Sequence, residues 1–133
     1  MREYLFVYGT LLPQHAPAEI AGTVRRLRRV GSGLLRGRLY DLGRYPGAIV
    51  DQKSHSRIHG EVFELPGDRK TLAALDAYEE SAPGSHGSDF FVREMCPVTM
   101  PGGRRRDCWV YTYNGDLRSA RFIVSGRYLG SNR

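Results

Sequence analysis

The feature that most constrains this chain is an apolar segment, residues 4–8, that runs directly into a Gly-Thr-Leu sequence. The segment reads Tyr-Leu-Phe-Val-Tyr, and aromatic and β-branched residues of this kind predict a buried strand. A glycine directly after a strand lets the chain turn tightly, so that backbone N–H groups can face a small anionic ligand. We therefore expect a ligand-holding turn formed by Tyr8, Gly9, Thr10 and Leu11.

Composition favours one soluble domain, residues 1–133, with a single core. The 16 glycines and 7 prolines favour a strand-and-turn fold over a helical bundle. No apolar run approaches the roughly 20 residues that cross a bilayer. The first residues lack the features of a signal peptide. We expect a cytoplasmic protein without a membrane anchor, in which Met1 lies near the start of the domain with no leader before it.

Charge and cysteine content argue against two other classes of protein. The net charge of +6 is concentrated in arginine clusters at residues 25–29 and 104–106. No aromatic residues alternate with these arginines and no RNA-binding motif is present, so we interpret them as solvated segments on a helix face and at a hairpin tip, not as a nucleic-acid site. Cys96 and Cys108 lack zinc-ligand spacing, and the four histidines are scattered. We therefore predict no metal site.

The pattern of apolar residues predicts an α+β fold with about six strands and two helices. The order of the elements is not a regular strand–helix alternation, which favours a small mixed β-barrel with a pocket where loops meet at its mouth. The helical spacing of apolar residues predicts a first helix over residues 17–29, which the glycines at positions 31 and 33 would end. A second predicted helix covers residues 68–80, with Asp68 as its N-cap. The predicted strands cover residues 4–8, 34–42, 48–50, 57–65, 90–100 and 104–113.

The last two predicted strands form a hairpin centred on Gly102. This centre places Arg93 opposite Tyr111 and Cys96 opposite Cys108. Because side chains alternate along a strand, the Arg93–Tyr111 pair and the cysteine pair lie on opposite faces. In a reducing cytoplasm we expect the two cysteines to be neighbouring free thiols.

The end of the second predicted helix concentrates carboxylates at Asp76, Glu79 and Glu80. Negative charge at a helix C-terminus is electrostatically unfavourable, and a locally unfavourable charge can indicate function. Glu79 borders the apolar stripe of the helix. A partly desolvated glutamate has a raised pKa and can act as a general acid and base near neutral pH. No serine or cysteine has a recognisable histidine partner, so covalent catalysis is not indicated.

Taken together, these segments resemble the gamma-glutamylcyclotransferase-like (AIG2-like) family. The resemblance rests on the order and spacing of several short motifs over about residues 4–113, with a similar closing segment at residues 123–128. The motifs are Tyr-Gly-Thr-Leu at residues 8–11, Leu-Tyr-Asp-Leu-Gly-Arg-Tyr-Pro-Gly at 39–47, Gly-Glu-Val-Phe at 60–63, Leu-Asp-Ala-Tyr-Glu at 75–79, Phe-Val-Arg at 91–93 and Val-Tyr at 110–111.

The resemblance implies a cyclotransferase that needs no cofactor. The turn at residues 8–11 would hold the α-carboxylate and carbonyl of a γ-glutamyl group, and Glu79 would be the general acid and base. The substrate's own α-amine would attack its γ-carbonyl and release 5-oxoproline and an amine. Arg93 and Tyr111 would line the wall or brace Glu79, with packing and an ion pair as the alternative. Tyr45 and Pro46 would form the pocket rim, or only a turn.

Two other functions remain open at this stage. The first is a non-catalytic module on the same fold that binds a small ligand or a partner, because a fold does not fix a function. The second is a basic protein associated with nucleic acid. The loop at residues 81–89 is the expected specificity element. The sequence leaves open the leaving group of the substrate and the oligomeric state.

Overall fold

The computed structural model describes residues 2–9, 12, 16–43, 45–81 and 91–128, without the side chains of residues 80 and 81. Within these ranges the chain forms seven strands and two helices, which confirms the predicted α+β class with one strand more than expected. In chain order they are β1 (Tyr4–Val7), α1 (Ala18–Val24), β2 (Arg28–Asp41), β3 (Pro46–Val50), β4 (Arg57–Glu64), α2 (Arg69–Ser81), β5 (Phe91–Thr99), β6 (Arg105–Tyr113) and β7 (Arg121–Phe122).

Five of the strands close into the small barrel that the sequence predicts. They follow one another in the order β2, β4, β1, β6 and β5, and a pairing of Leu34 with Thr99 joins β5 back to β2. The sheet is mixed, because β1 runs parallel to β6 and antiparallel to β4. The strands β3 and β7 pair with β2 outside this ring.

The core has two layers, one inside the barrel and one under the helices. Alternation along β1 sends Phe6 into the barrel and Leu5 and Val7 towards the helices. The outer layer includes Val24 of α1 and Leu75 of α2, both almost fully buried. Both helices therefore cover the same face of the barrel, where β1 and β6 lie side by side.

The β5–β6 hairpin has the predicted register. Arg93 lies opposite Tyr111, and Cys96 lies opposite Cys108. Both cysteines are buried free thiols in the barrel interior, as expected. Burial raises the pKa of Cys96 to about 11 and that of Cys108 to about 12. Thiols with such pKa values are poor nucleophiles at neutral pH.

The first helix is shorter than predicted, and the strand after it is longer. The helix ends at Val24 rather than at residue 29, and β2 begins at Arg28 rather than at residue 34. Arg28 pairs with Glu64 of β4, a contact distant in sequence that the helical spacing of apolar residues does not reveal. The glycines expected to end the helix lie within β2. A Cβ atom at Gly33 would lie 2.7 Å from Cγ1 of Val98, so close packing explains that glycine.

Parts of both arginine clusters consequently lie on strands, and not on a helix face or at the hairpin tip as predicted. Arg28 and Arg29 lie on a strand, where they bind the carboxylates of Glu64 and Glu61 at 2.6 and 2.9 Å. Arg106 lies within β6 instead of at the hairpin tip, and its guanidinium stacks on the ring of Tyr4. These contacts occupy a part of the basic surface with interactions inside the protein.

The second helix follows the prediction closely. It begins one residue after Asp68, whose carboxylate accepts a hydrogen bond from the backbone N–H of Thr71 at 2.9 Å. This bond is the predicted N-cap. The helix ends near the barrel wall formed by β5 and β6. Of the helices in the described ranges, neither has the length and apolar character to cross a membrane.

Candidate active site

The turn after β1 is built on close contact between Gly9 and Pro46. The backbone N–H of Leu12 donates a hydrogen bond to the carbonyl of Gly9 at 2.9 Å, which closes a tight turn. A Cβ atom at Gly9 would lie only 2.5 Å from Cγ of Pro46, the first residue of β3. The predicted ligand-holding turn and the predicted pocket rim are therefore in contact. Thr10 and Leu11, the other two residues predicted to bind substrate, lie outside the described residues.

We expect Gly9→Ala to lower the free energy of unfolding by about 1–3 kcal/mol, because its Cβ would overlap the Pro46 ring. Chemical denaturation measures this loss. Gly67→Ala is the matched control, since a Cβ at Gly67 meets no atom within 4 Å. Equal stability of the two variants would contradict close packing of Gly9 against Pro46.

Tyr8 connects the start of the turn to two other strands. Its hydroxyl donates to the backbone carbonyl of Tyr111 and accepts from the backbone N–H of Ala48 at 3.3 Å. Burial, with a further contribution from the charge of Glu79, raises the pKa of the Tyr8 phenol. The phenol therefore stays protonated and acts as a structural hydrogen-bonding group. Tyr111, whose carbonyl accepts the hydrogen bond from Tyr8, donates its own hydroxyl to Asp76 of α2, so two hydrogen bonds link the end of β1 to α2 through one residue.

Asp76 is the centre of a hydrogen-bonded cluster that joins α2 to the β5–β6 hairpin. Nε and Nη2 of Arg93 bind its two carboxylate oxygens at 2.9 and 3.1 Å. The hydroxyl of Tyr111 donates to Oδ1 of Asp76 at 2.6 Å. The Arg93 guanidinium also stacks on the Trp109 ring, 4.2 Å from its centroid. A two-point arginine–carboxylate pair fixes orientation as well as distance, so this cluster holds α2 in place against the hairpin.

Glu79 lies one helical turn after Asp76 and is buried, with 9% of its surface exposed. Burial raises the pKa of the Glu79 carboxyl to about 8, and the nearby charge of Asp76 contributes to the increase. A carboxyl group with this pKa exchanges protons readily near neutral pH. Among the carboxylates of α2 whose side chains the structure describes, Glu79 is therefore the candidate acid–base group.

An aromatic wall extends from the rim towards the hairpin. The ring of Phe91 packs edge-on against Tyr45, with centroids 5.6 Å apart, and against Tyr113, with centroids 5.3 Å apart. Gly47 allows this arrangement, since a Cβ there would lie 2.8 Å from Cβ of Tyr113. The predicted rim residues Tyr45 and Pro46 are thus joined to the hairpin on one side and to Gly9 on the other.

The predicted site residues are only partly arranged as the sequence suggested. The side chains of Arg93 and Tyr111 bind Asp76, which lies three residues before Glu79 on α2. Arg93 thereby forms the ion pair that was the alternative to bracing Glu79. Sequence reasoning gave Asp76 no role. The available signal was its spacing of three residues from Glu79, which places the two carboxylates on one helix face. Of the predicted specificity loop at residues 81–89, residues 82–89 lie outside the described residues, and residue 81 is the last of α2.

We expect Asp76→Asn to lower the pKa of Glu79. The substitution removes the like charge that helps to raise it and frees the positive charge of Arg93. A titration of the Glu79 carboxyl carbon by NMR measures the change, with the exposed strand residue Asp107 replaced by asparagine as the control. An unchanged or higher pKa in Asp76→Asn would show that Asp76 does not influence Glu79.

In the ranges that the structure describes, no group of three or more histidine, cysteine, aspartate or glutamate side chains is arranged to hold a metal ion. The candidate site therefore consists of Glu79, the cluster around Asp76 and the Gly9 turn.

Residues 5–130 match the family described as gamma-glutamyl cyclotransferase, AIG2-like. The chain belongs to this family. Over 125 residues and 94% of both chains it is 33% identical to a gamma-glutamylcyclotransferase family protein, ytfP, of Citrobacter rodentium. Over 128 residues and 95% of both chains it is 31% identical to a putative gamma-glutamylcyclotransferase of Vibrio cholerae.

A comparison of this structure with solved structures agrees with the family assignment. The solution structure of the protein ytfP from Escherichia coli superimposes with a TM-score of 0.65 at 28% sequence identity, over the full length of both chains. This match confirms the barrel and the family resemblance that the sequence motifs predict. For this member of the family, Glu79 and the Gly9 turn are the candidate active site.

Proposed function

We propose that this protein is a gamma-glutamyl cyclotransferase that uses Glu79 as its general acid and base. The observation that carries the proposal is the buried Glu79, with a pKa of about 8, close to the strand end that leads into the Gly9 turn. Membership of the gamma-glutamyl cyclotransferase family supports this reaction class. The substrate is a γ-glutamyl amine or γ-glutamyl peptide.

The reaction rearranges one molecule into two without water. Ionised Glu79 takes a proton from the substrate's α-ammonium, and the freed amine attacks the γ-carbonyl carbon to form a five-membered ring. The bond from that carbon to the leaving nitrogen then breaks, and Glu79 returns a proton to the leaving nitrogen. In total, the attacking nitrogen loses two protons as it changes from an ammonium to the lactam N–H. The leaving nitrogen gains two as it changes from an amide N–H to an ammonium, so the protons balance. The products are 5-oxoproline and a free amine.

Orientation supplies a large part of the expected rate enhancement, because nucleophile and electrophile belong to the same substrate. Backbone N–H groups of the turn at residues 9–11 would hold the α-carboxylate and stabilise charge on the carbonyl oxygen. The contact of Gly9 with Pro46 fixes the start of this turn, and the clamp of Arg93 and Tyr111 on Asp76 fixes the helix that carries Glu79.

A direct assay tests the proposal. We expect the purified protein to release 5-oxoproline from at least one of γ-glutamyl-alanine, γ-glutamyl-alaninamide, γ-glutamyl-ε-lysine and γ-glutamyl-putrescine, measured by liquid chromatography and mass spectrometry. Release that is no faster than the spontaneous reaction for every compound would contradict it. Binding of these compounds without turnover would instead support the non-catalytic module.

A further inference from the structure

A groove of about 650 Å³ adjoins the residues that flank the Gly9 turn, and its wall, among the residues that the structure describes, does not include Glu79. Its wall includes Tyr8 and Leu12 at the turn, and outward-facing residues of β2 and β4 such as Leu34 and His59. The segment after β7 contributes Arg127 and Tyr128 to this wall. None of the reaction steps described above requires this groove, although it shares Tyr8 with the candidate active site.

The strand order explains why the groove starts where it does. The pairing of β1 with β4 ends at Val7 opposite Glu61. Beyond that point the backbone N–H of His59 donates instead to the carbonyl of Gly126 at 2.8 Å, so the closing segment continues along the edge of β4. The segment thereby reaches Tyr8, with which Tyr128 shares the barrel core. On the side opposite β4, β1 borders β6. The hydroxyl of Tyr111 in β6 donates a hydrogen bond to Asp76 of α2, the helix that carries Glu79.

The position of Arg127 is fixed by the residue before it. Gly126 has a φ of 71°, a conformation that favours glycine, and its Cβ would lie 1.9 Å from the backbone carbonyl oxygen of Arg57. Since no other residue fits there without a shift of the backbone, the closing segment is held tightly against β4. The Arg127 side chain therefore projects from a rigid backbone, which reduces the entropy lost when it binds a ligand.

The charges around the groove favour an anion. Arg127 has an exposed side chain, and no carboxylate of the described residues lies within 4 Å of it. Glu61, a carboxylate in the groove wall, is bound to Arg29 at 2.9 Å, which compensates its charge. Burial and the neighbouring Arg127 lower the pKa of His59, so its imidazole is mostly neutral at pH 7 and can form hydrogen bonds. The part of the groove around Arg127 thus carries a net positive charge.

We propose that the groove receives the leaving half of the γ-glutamyl substrate and that Arg127 binds a carboxylate on it. The inference rests on the proposed function: if the turn holds the γ-glutamyl half beside Glu79, the rest of the substrate needs a surface adjoining the turn, and the groove supplies one. The preferred leaving group is therefore an amino acid or a peptide with a free carboxylate. Neutral amines bind less well, and polyamines are repelled by Arg127.

The test compares two substrates that differ only in this charge, γ-glutamyl-alanine and γ-glutamyl-alaninamide. We expect wild-type kcat/KM to be higher for the acid, and Arg127→Gln to lower the ratio of the two values about fivefold, as for one partly solvated ionic hydrogen bond. Arg127→Glu should reverse the preference and increase turnover of γ-glutamyl-putrescine relative to wild type. The control is Arg121→Gln, an exposed arginine of β7 outside the groove wall, which should leave the ratio unchanged.

The outcomes separate the two proposals. Release of 5-oxoproline from both substrates with equal kcat/KM, or a ratio that Arg127→Gln does not change, would overturn the role of the groove and leave the cyclotransferase proposal intact. Release from neither substrate, nor from any other γ-glutamyl compound, would overturn the cyclotransferase proposal, and the groove's role with it.

Discussion

Replacing Glu79 with glutamine is expected to slow the release of 5-oxoproline by about a hundredfold or more, without loss of the fold. Glutamine has nearly the same shape as glutamate but cannot accept the proton of the α-ammonium, and general acid–base groups typically contribute 10²–10⁴-fold to a rate. Steady-state kinetics with the best substrate of the panel measures the effect. Because orientation by the turn is unchanged, we expect the loss mainly in kcat and only a small change in KM.

Two further variants make this result specific. Glu19→Gln changes an exposed glutamate of α1 in the same way and should keep wild-type activity. Glu79→Asp keeps the carboxylate but moves it back along the side chain, so its activity should lie between those of wild type and Glu79→Gln. If Glu79→Gln is folded by circular dichroism and retains more than about a tenth of the activity, Glu79 is not the acid–base group.

The same substitution is expected to stabilise the protein at alkaline pH. The Glu79 carboxyl has a pKa of about 8 in the folded protein, whereas its ordinary value is 4.5. Between these values the folded state holds a proton that the unfolded chain has released, so this group's contribution to stability falls as the pH rises and levels off above about 8. Glutamine is neutral throughout, and Glu79→Gln should therefore be more stable than wild type at pH 9, by up to roughly 4 kcal/mol.

Chemical denaturation of both proteins at pH 4, 7 and 9 measures this difference. The stability gained by Glu79→Gln should increase from pH 4 to pH 9. Glu19→Gln, on an exposed helix face, should show no such dependence on pH. A gain that is the same at all three values of pH would mean that Glu79 ionises in the folded protein as it does in the unfolded chain, which would remove the physical basis of its role as a base.

The parts of the fold that depend on local patterns could be predicted from the sequence. The turn at Pro101–Gly103 sets the centre of the hairpin, and alternation then fixes which residues face each other, so the partners of Arg93 and Cys96 followed directly. Asp68 likewise indicates the start of α2 correctly, because a capping side chain acts on the backbone only three residues away.

The errors occurred where distant contacts decide the structure. The helical spacing of Ile20, Val24 and Leu27 suggested a helix to residue 29. The chain leaves the helix at Val24, and Arg28 joins the sheet opposite Glu64. Gly33 looked like a helix terminator for the same reason, although it is a strand residue packed against Val98. Neither partner is close in sequence, so local propensity gave no indication of them.

In the candidate site too, the residues with a local signal could be predicted and those that depend on distant contacts could not. Glu79 and the Gly9 turn could be proposed from motifs, because each is a short local signal. The function of Asp76 could not, since it depends on Arg93 and Tyr111 reaching α2 across the space between helix and hairpin. The part of the groove wall that contains Arg127 was also hidden, as it forms only when the closing segment replaces β1 along the edge of β4.

The most direct test of the central claim is a crystal structure of Glu79→Gln with γ-glutamyl-alanine bound. The claim is that the Gly9 turn and the side chain at position 79 act on one γ-glutamyl group. We expect the substrate's α-carboxylate within hydrogen-bond distance of the backbone N–H groups of the turn, and its α-nitrogen beside the side chain at position 79. A substrate bound elsewhere, or bound to the turn with its α-nitrogen away from position 79, would contradict the claim.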